Sequence, residues 1–544
     1  MKKNIWIIIG ITTFLLVAAV SFLWATAIMD SLYDFRSPLA NDPPMSEPSL
    51  GEPLSSRVVF VLVDALREDT ALNTEVMPFL DELRQQSAWA TMHSLPPSYS
   101  APSWTTLLTG AWADINDGQP ANPPDNDSVR AFTQDDIFAA ANRAGLQTAV
   151  SGFTWFEGML TNSGVDADFY TTGEDNAADL DVLSAAIPWL QSDEYQLILI
   201  HLDQVDYAGH YEGGPQDPNW DAAAARVDNM LEEISSTLNF ELDTLIVTSD
   251  HGQIDRGGHG GQDPITLIEP FIMIGPNITP GNYPDIQMVD VAPTISALLG
   301  INLPGTNQGR VLTEMLKIDS EQVDVINNIL SAQKLQLLQS YQTSIGVEIT
   351  SPETLEEIDS EMEEAKSQRL FKERIPRGII ALIIALIPVY VLSKNFKRTS
   401  VAVLAGAAQY IFIFNVIYAV IIGKTYSLSS VYSADDLIFS TAIYAGIALF
   451  IAWLILMLNL KAFSLPPSST ALLTLSLTAI TLYILVLPIL WNYFMNGLVL
   501  TWTLPDFSSM FMGFLSILQS LFVSVLGLLL TGISALISRL VHTD

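Results

Sequence analysis

Residues 57–65 read RVVFVLVDA: six consecutive apolar residues, Val58 to Val63, with an aspartate directly behind them. A strand that is apolar on both faces must be covered on both faces, which is the situation of a central strand in a parallel sheet. The same texture returns at 147–153 (QTAVSGF), 195–203 (YQLILIHLD) and 243–252 (DTLIVTSDHG), with helical patterns between the runs. Doubly buried strands alternating with helices predict an α/β fold, an α/β/α sandwich around a mostly parallel central sheet. Asp64, Asp203 and Asp250 each stand at the carboxyl end of one run. In open α/β sheets that edge is where sites form.

Around this core the chain combines two solvents. It has 544 residues, 49% of them hydrophobic, yet a formal net charge of −35. Of its 59 acidic residues, only Asp435, Asp436, Asp506 and Asp544 lie beyond residue 377. The first two-thirds is therefore an acidic, water-facing part and the last third a lipid-facing one. So negative a surface repels phosphate backbones and excludes nucleic acid as a partner. With no cysteine, the exported part has no disulfide, and its stability must come from a large core or from bound metal.

An apolar run from Ile5 to about Ile28 follows Lys2 and Lys3 and is long enough to span a bilayer. It exceeds the ~7–15 residues of a signal-peptide core, so a retained anchor is expected rather than a cleaved leader. Five further apolar runs lie near 378–393, 401–422, 437–460, 470–490 and 508–537, which predicts an α-helical transmembrane bundle. Lysine and arginine are retained on the cytoplasmic side. Lys2, Lys3, Lys394, Lys397, Arg398, Lys461 and Arg539 then all fall inside, and residues 29–376 outside. The cluster Lys366, Arg369, Lys372, Arg374 and Arg377 breaks the pattern and is expected to touch anionic headgroups. The expected location is the plasma membrane, or the endoplasmic reticulum membrane in a eukaryote, with the N-terminus cytoplasmic.

The expected divisions are an anchor (1–28), a Pro/Ser/acid-rich tether (29–54), an extracytoplasmic catalytic domain (55–315), a solvated acidic helical connector (316–376) and a five-span domain (377–544). Oligomeric state is not legible.

The chemistry-bearing residues gather in two segments. HLDQVDYAGHYEGGP (201–215) spaces Asp206 and His210 four apart, so that carboxylate and imidazole converge on one helical turn or tight loop. TSDHGQIDRGGHGG (248–261) sets Asp250 and His251 side by side at a strand end, with His259 eight residues on among glycines. Carboxylates mixed with imidazoles and no thiolates suit Zn²⁺, with Mn²⁺ or Mg²⁺ as alternatives, and two adjacent ligands facing different ways can serve two metals. Ser98, Ser100 and Ser103 share one loop, where hydroxyls are also commonly helix caps. Ser103, ahead of WTTLLTG, reads as an N-cap.

VLVDALR, a serine ahead of APSWTTLLTG, VDYAGHYEGGP and SDHGQIDRGGHGG occur in the order seen in the alkaline phosphatase superfamily, and residues 57 to about 312 resemble its type I phosphodiesterase / nucleotide pyrophosphatase branch. The resemblance implies a serine nucleophile two residues before Pro102 and ten before Gly110, at Ser100. It implies that Asp206, His210 and His259 hold one metal, while Asp64, Asp250, His251 and the Ser100 oxygen hold the other. Ser103 stands where relatives bind a phosphate oxygen. His201 and Asp203 are expected to support ligands or pack, and Asp290 to be structural. Two metals would stabilise the attacking and leaving oxygens of an in-line displacement.

Sulfatases carry C/S-x-P-x-R, and SAPSW has Trp104 in place of the arginine. One N-terminal span, an outward catalytic domain and a trailing bundle resemble the ethanolamine-phosphate transferases of the glycosylphosphatidylinositol pathway, in which a histidine precedes the nucleophile as His93 does here. That resemblance implies a phospholipid donor, a lipid or glycan acceptor, and transfer of a phosphoethanolamine-like headgroup. The alternatives are a membrane-anchored phosphodiesterase or pyrophosphatase-type hydrolase, and a non-catalytic membrane scaffold, against which the intact ligand set argues.

Overall fold

The computed structural model describes residues 2–46, 48–394 and 396–541, with the side chains of residues 2–4 and Arg398 outside that description. The orientation expected from Lys2, Lys3 and Arg398, and the acid Asp544, therefore rest on groups outside the described ones. The chain divides into two compact units, one of residues 32–370 with 501–504 and the other of residues 1–31, 371–500 and 505–544.

The first unit is an α/β/α sandwich. Its sheet contains β1 (Arg57–Val63), β2 (Ala88–His93), β3 (Thr148–Phe153), β4 (Ala167–Thr171), β5 (Leu197–Leu202), β6 (Asp243–Thr248), β7 (Ile268–Ile274), β8 (Gly281–Asn282) and β9 (Ile286–Gln287). Their order is β4-β3-β5-β1-β6-β7-β2-β8, with β9 also on β2. β3, β4, β5, β1 and β6 are mutually parallel, and β7 runs antiparallel to both β6 and β2. All seven residues of β1 are buried. Period-two alternation sends Val58, Phe60 and Leu62 into one core with Trp104, Phe138 and Leu298, and Val59, Val61 and Val63 into the other with Leu80, Leu183 and Leu231. Truncating Phe60 to alanine in so dense a layer would cost about 3–5 kcal/mol.

Register places the site. Val63 pairs with Leu202 and Leu62 with Thr248. Continuing these parallel ladders past the strand ends brings Asp64, Asp203 and Asp250 abreast at the carboxyl edge.

Three expectations are corrected in this unit. The tether is docked: Phe35 and Leu39 are buried, and Arg36 and the Ser37 amide bind the Asp117 carboxylate at 2.9 and 2.8 Å. Ser49 bridges Asn302, and the Leu50 and Leu54 amides donate to Ile301 and Leu298. Widely spaced anchors in a Pro-rich stretch leave no periodicity to read. Nor is the connector simply solvated, because the helix Ser320–Ile345 buries Ile326, Leu330, Leu337 and Tyr341, spaced as one helical stripe. Ser103 is not a cap either; it lies inside the helix Ser100–Thr109, whose N-cap is Tyr99.

Among the described residues, the second unit holds six helices long and apolar enough to cross a membrane: Ile5–Tyr33, Leu355–Lys394, Thr399–Ile421, Ala434–Asn459, Pro467–Asn496 and Phe507–Val541. The first two also contribute residues to the other unit. The chain is a multi-pass membrane protein by this length and composition. Some polar groups inside the bundle are paired, as where Tyr410 donates to Gln519 at 2.9 Å, while the hydroxyls of Thr441, Thr481, Ser520 and Ser524 are buried without a hydrogen-bond partner among the described residues. The acidic stretch 355–370 and the apolar run behind it form one continuous helix. Its basic cluster has protein partners: Lys366 bonds Asp114 at 2.6 Å, Arg369 lies over the Trp502 ring, Arg374 donates to the Met495 carbonyl, and Arg377 pairs with Glu373.

Candidate active site

Asp64 and Asp250 leave the ends of β1 and β6 side by side, and the turn after β1 is tight enough that Ala65 adopts a φ of 60°, a left-handed conformation rare for a residue with a side chain. The turn aims the Ala65 amide at Asp250 Oδ1, 3.0 Å away, and the His251 amide reaches the same oxygen at 3.0 Å. The other oxygen, Oδ2, accepts from the Trp104 indole at 2.7 Å. His251 donates through Nδ1 to the Gly252 carbonyl at 3.2 Å, so its Nε2 lone pair points inward. That nitrogen lies 3.5 Å from Asp64 Oδ1, 3.5 Å from Asp250 Oδ2 and 3.3 Å from Ser100 Oγ. Ser100 opens its helix, at the end where the backbone favours anions.

The second group forms on the helix Gln204–Tyr211 and the glycine loop after β6. His210 and His259 face each other Nε2 to Nε2 at 2.9 Å, with Asp206 3.4 Å from His210 and 3.6 Å from His259. His259 donates through Nδ1 to the Ser98 carbonyl at 2.8 Å, which again turns the Nε2 lone pair inward. The rings of His251 and His259 stack at 3.9 Å, joining the two groups into one site. Two glycines permit this approach. A Cβ on Gly209 would lie 2.0 Å from Gln253, which donates to Asp206, and one on Gly260 would lie 2.1 Å from the Tyr99 ring.

Asp64–Asp250–His251 and Asp206–His210–His259 each bring ligand atoms within 4.8 Å of one another. The electrostatics fit cations. Buried Asp64 is pushed well above the ordinary carboxylate range by burial and then by the Asp250 charge, and burial also raises Asp250 to about 6. Burial holds His251 at about 4 and His259 at about 3, so both imidazoles are neutral ligands. Asp64 Oδ1 is buried without a hydrogen-bond partner. A divalent ion in each group would satisfy that oxygen and the inward lone pairs together.

All seven residues read from the sequence as ligands or nucleophile thus converge. His93 and Ser103 do not join them by any hydrogen bond among the described residues: His93 binds Asp285 at 2.8 Å, and Ser103 is buried in its helix. The Ser98 hydroxyl is engaged with the Gly261 carbonyl at 3.0 Å and accepts from the Gly260 amide at 2.9 Å. Two further contributors, Asn122 and Asp179, had no local signal. Asn122, from a proline-rich loop, accepts from the Ala101 amide at 3.0 Å and points its amide at Ser100 Oγ, 3.5 Å away. His201 donates to Asp64 Oδ2 at 3.0 Å, and Asp64, His201 and Asp203 form a third group of ligand-type atoms within 4.8 Å. Asp179 accepts the Asp203 and Gln204 amides at 2.8 and 3.2 Å, fixing the start of the helix that carries Asp206 and His210.

Residues 58–267, which hold all of these groups, match the family model for type I phosphodiesterase / nucleotide pyrophosphatase. This segment is a domain of that family. Among curated proteins similar to the chain are GPI ethanolamine phosphate transferase 2 of Candida albicans, 25% identical over 396 residues, and the catalytic subunit of human GPI ethanolamine phosphate transferase 3, 27% identical over 290. The alignments cover 64% and 48% of this chain but 44% and 26% of those proteins, so the chain spans less than half the length of either relative. Solved structures similar to it include human ectonucleotide pyrophosphatase / phosphodiesterase 5, 15% identical with a TM-score of 0.39 over 45% of this chain and 95% of that one. Another is an alkaline phosphatase superfamily protein from Vibrio parahaemolyticus, 17% identical with a TM-score of 0.37 over 53% of this chain and 78% of that one.

Proposed function

We propose that the chain is a membrane-bound phosphotransferase that moves phosphoethanolamine from a phospholipid donor to a lipid or glycan acceptor, with Ser100 as nucleophile. The single observation that carries the chemistry is the convergence of Ser100 Oγ with His251 Nε2, Asp64 and Asp250, backed by the Asp206–His210–His259 group. The transferase assignment is supported by the phosphodiesterase-type domain and by the ethanolamine phosphate transferases among its relatives.

Asp64, Asp250, His251 and Ser100 would hold one divalent ion, and Asp206, His210 and His259 the other, zinc best suiting this donor set. When bound, such ions lower the pKa of a coordinated hydroxyl and neutralise charge on phosphate oxygens. The protein's own groups do the rest. Trp104, Ala65 and the His251 amide fix the Asp250 carboxylate; His201 fixes one oxygen of Asp64 and leaves the other free. Asn122 is the phosphate-oxygen donor, since its amide reaches the space beside Ser100 Oγ where negative charge grows. In the first step the Ser100 Oγ–P bond forms as the P–O bond to diacylglycerol breaks; Ser100 loses its proton and diacylglycerol gains one. In the second, the acceptor hydroxyl attacks phosphorus, loses its proton and frees Ser100, which regains one. We further assign residues 55–315 to the extracytoplasmic face, on the strength of the lysine and arginine placement in the short loops.

The test is diacylglycerol release from nanodiscs containing phosphatidylethanolamine, by zinc-loaded full-length protein and by Ser100→Ala. Release by the wild type that vanishes in the variant is expected. Equal release by both, or none from a wild type that cleaves generic aryl phosphodiesters, would overturn the transferase reading in favour of another nucleophile or of a hydrolase.

A further inference from the structure

Directly behind the first apolar helix, Lys2–Tyr33, the chain enters a set of hydrogen bonds that the reaction as derived above does not use. Asp117 is their centre. Its buried carboxylate accepts from Arg36 Nε at 2.9 Å, from the Ser37 amide at 2.8 Å and from the Thr133 hydroxyl at 2.7 Å. Arg130 ties the same stretch a second time, donating to the carbonyls of Phe35 at 2.9 Å and Tyr33 at 3.2 Å and to those of Gly118 at 3.1 Å and Asp117 at 3.2 Å. Asp117 has a φ of 57°, a left-handed conformation that its surroundings must hold. The Asn116 side chain spans the turn by accepting the Gly118 amide at 2.9 Å, and a Cβ on Gly118 would lie 2.6 Å from Thr105, on the helix that Ser100 opens.

From this turn the chain runs into the loop that carries Asn122. Gln119 closes the loop at its base, its side chain donating to the Ser128 carbonyl and accepting the Arg130 amide, both at 2.9 Å. On the far side Trp155 donates to Asn126 at 3.0 Å. Pro120, Pro123 and Pro124 stiffen the span, so a shift of the base is carried to the Asn122 amide, 3.5 Å from Ser100 Oγ. Asn122 is seated on the Ala101 amide, which reaches its Oδ1 at 3.0 Å. An amide in the first turn of a helix has no partner within the helix, so this bond reports whether the loop is in place.

We propose that Asp117, Arg36 and Arg130 are positioning residues for the transfer: they clamp the Asn122 loop to the stretch that follows the first apolar helix, and so fix its amide at Ser100. A buried carboxylate is costly unless a cation and donors meet it together. Among the described residues, the groups that meet the Asp117 carboxylate are Arg36, Ser37 and Thr133. Without residues 36 and 37 it would keep Thr133 alone, and the turn that launches the loop would open toward water. The inference rests on the phosphotransferase reading, in which Asn122 meets the phosphate oxygen, and adds the residues that hold it there.

The experiment uses the zinc-loaded full chain in detergent with an aryl phosphodiester. Arg36 has a side chain 50% exposed, so Arg36→Ala leaves the core intact. It should lower kcat by about ten- to hundredfold with little change in KM or in zinc affinity, as a misplaced catalytic group does. Arg36→Lys, which keeps a cation for Asp117, should recover most of the loss, and Arg130→Lys, which cannot reach all four carbonyls, should repeat it. In an Asn122→Ala background Arg36→Ala should cost nothing further. Hydrogen exchange at the Ala101 amide, read by fragmentation mass spectrometry without turnover, should be faster in Arg36→Ala than in the wild type. Unchanged exchange overturns the clamp whatever the rates do. So does an unchanged kcat, or a loss of the same size in both backgrounds, and each of these leaves the phosphotransferase standing. A wild type that cleaves no aryl phosphodiester overturns the phosphotransferase reading instead, and the exchange alone then decides whether the clamp holds the loop.

Discussion

The Trp104 indole N–H donates to Asp250 Oδ2 at 2.7 Å, so the residue that stands where a sulfatase would carry arginine is the support of a candidate metal ligand. Its ring is buried and stacks on Phe156 at 4.3 Å, which fixes the direction of the N–H. Trp104→Phe keeps most of the stacking and removes the donor. Metal affinity is expected to fall about 10–100-fold, as for other supporting partners of metal ligands, with the fold intact. Zinc titration alongside circular dichroism checks this.

Asn122 tests the charge-stabilising side of the site. If its amide meets the phosphate oxygen, Asn122→Ala should lower kcat by about 10²–10³-fold with a small change in KM. Aryl phosphodiester kinetics measure the split, and a rise in KM alone would make Asn122 a ground-state binder.

Metal removal should cost stability as well as activity. Asp64 and Asp250 are buried side by side, and a chelator exposes their mutual repulsion. Thermal unfolding after chelation should begin at lower temperature and recover on adding zinc, by about 4 kcal/mol at a thousandfold excess over the dissociation constant. Asp64→Asn should be stabilised less by zinc than the wild type.

A pH effect separate from the metal site is expected at Asp136. Its carboxylate caps the helix Ile137–Arg143, accepting the Phe138 amide at 2.8 Å, and burial raises it from 3.8 to about 6. The folded state thus holds this proton more tightly than the unfolded chain. The contribution is present below about pH 4 and lost as pH rises through about 6, on the order of 3 kcal/mol. Asp136→Asn cannot titrate, so the difference in melting temperature between variant and wild type should change across that window and stay constant above it.

How much of this was legible follows from which signals are local. β1, β3, β5 and β6 announce themselves because doubly buried strands are continuous apolar runs, and the aspartates behind them mark the edge. Asp206, His210, Asp250, His251 and His259 are clustered in two short segments, so spacing alone groups them. Asn122 and Asp179 are invisible for the opposite reason: their partners lie 21 or more residues away, at Ala101 and at Asp203 and Gln204, and only the folded sheet edge brings them in. The docked stretch around Arg36 failed for the same cause, since its anchor Asp117 is 81 residues distant. Ser103 looked like a cap because the helix start was read four residues late.

The most direct test is to trap the intermediate. Full-length protein loaded with zinc would be incubated with p-nitrophenyl 2-aminoethyl phosphate, quenched in acid and digested, and the peptide spanning residues 94–112 analysed by mass spectrometry. A phosphoethanolamine adduct on Ser100, absent from Ser100→Ala, is the predicted result. An adduct on Ser98 or Ser103, or turnover that persists in Ser100→Ala, would contradict it.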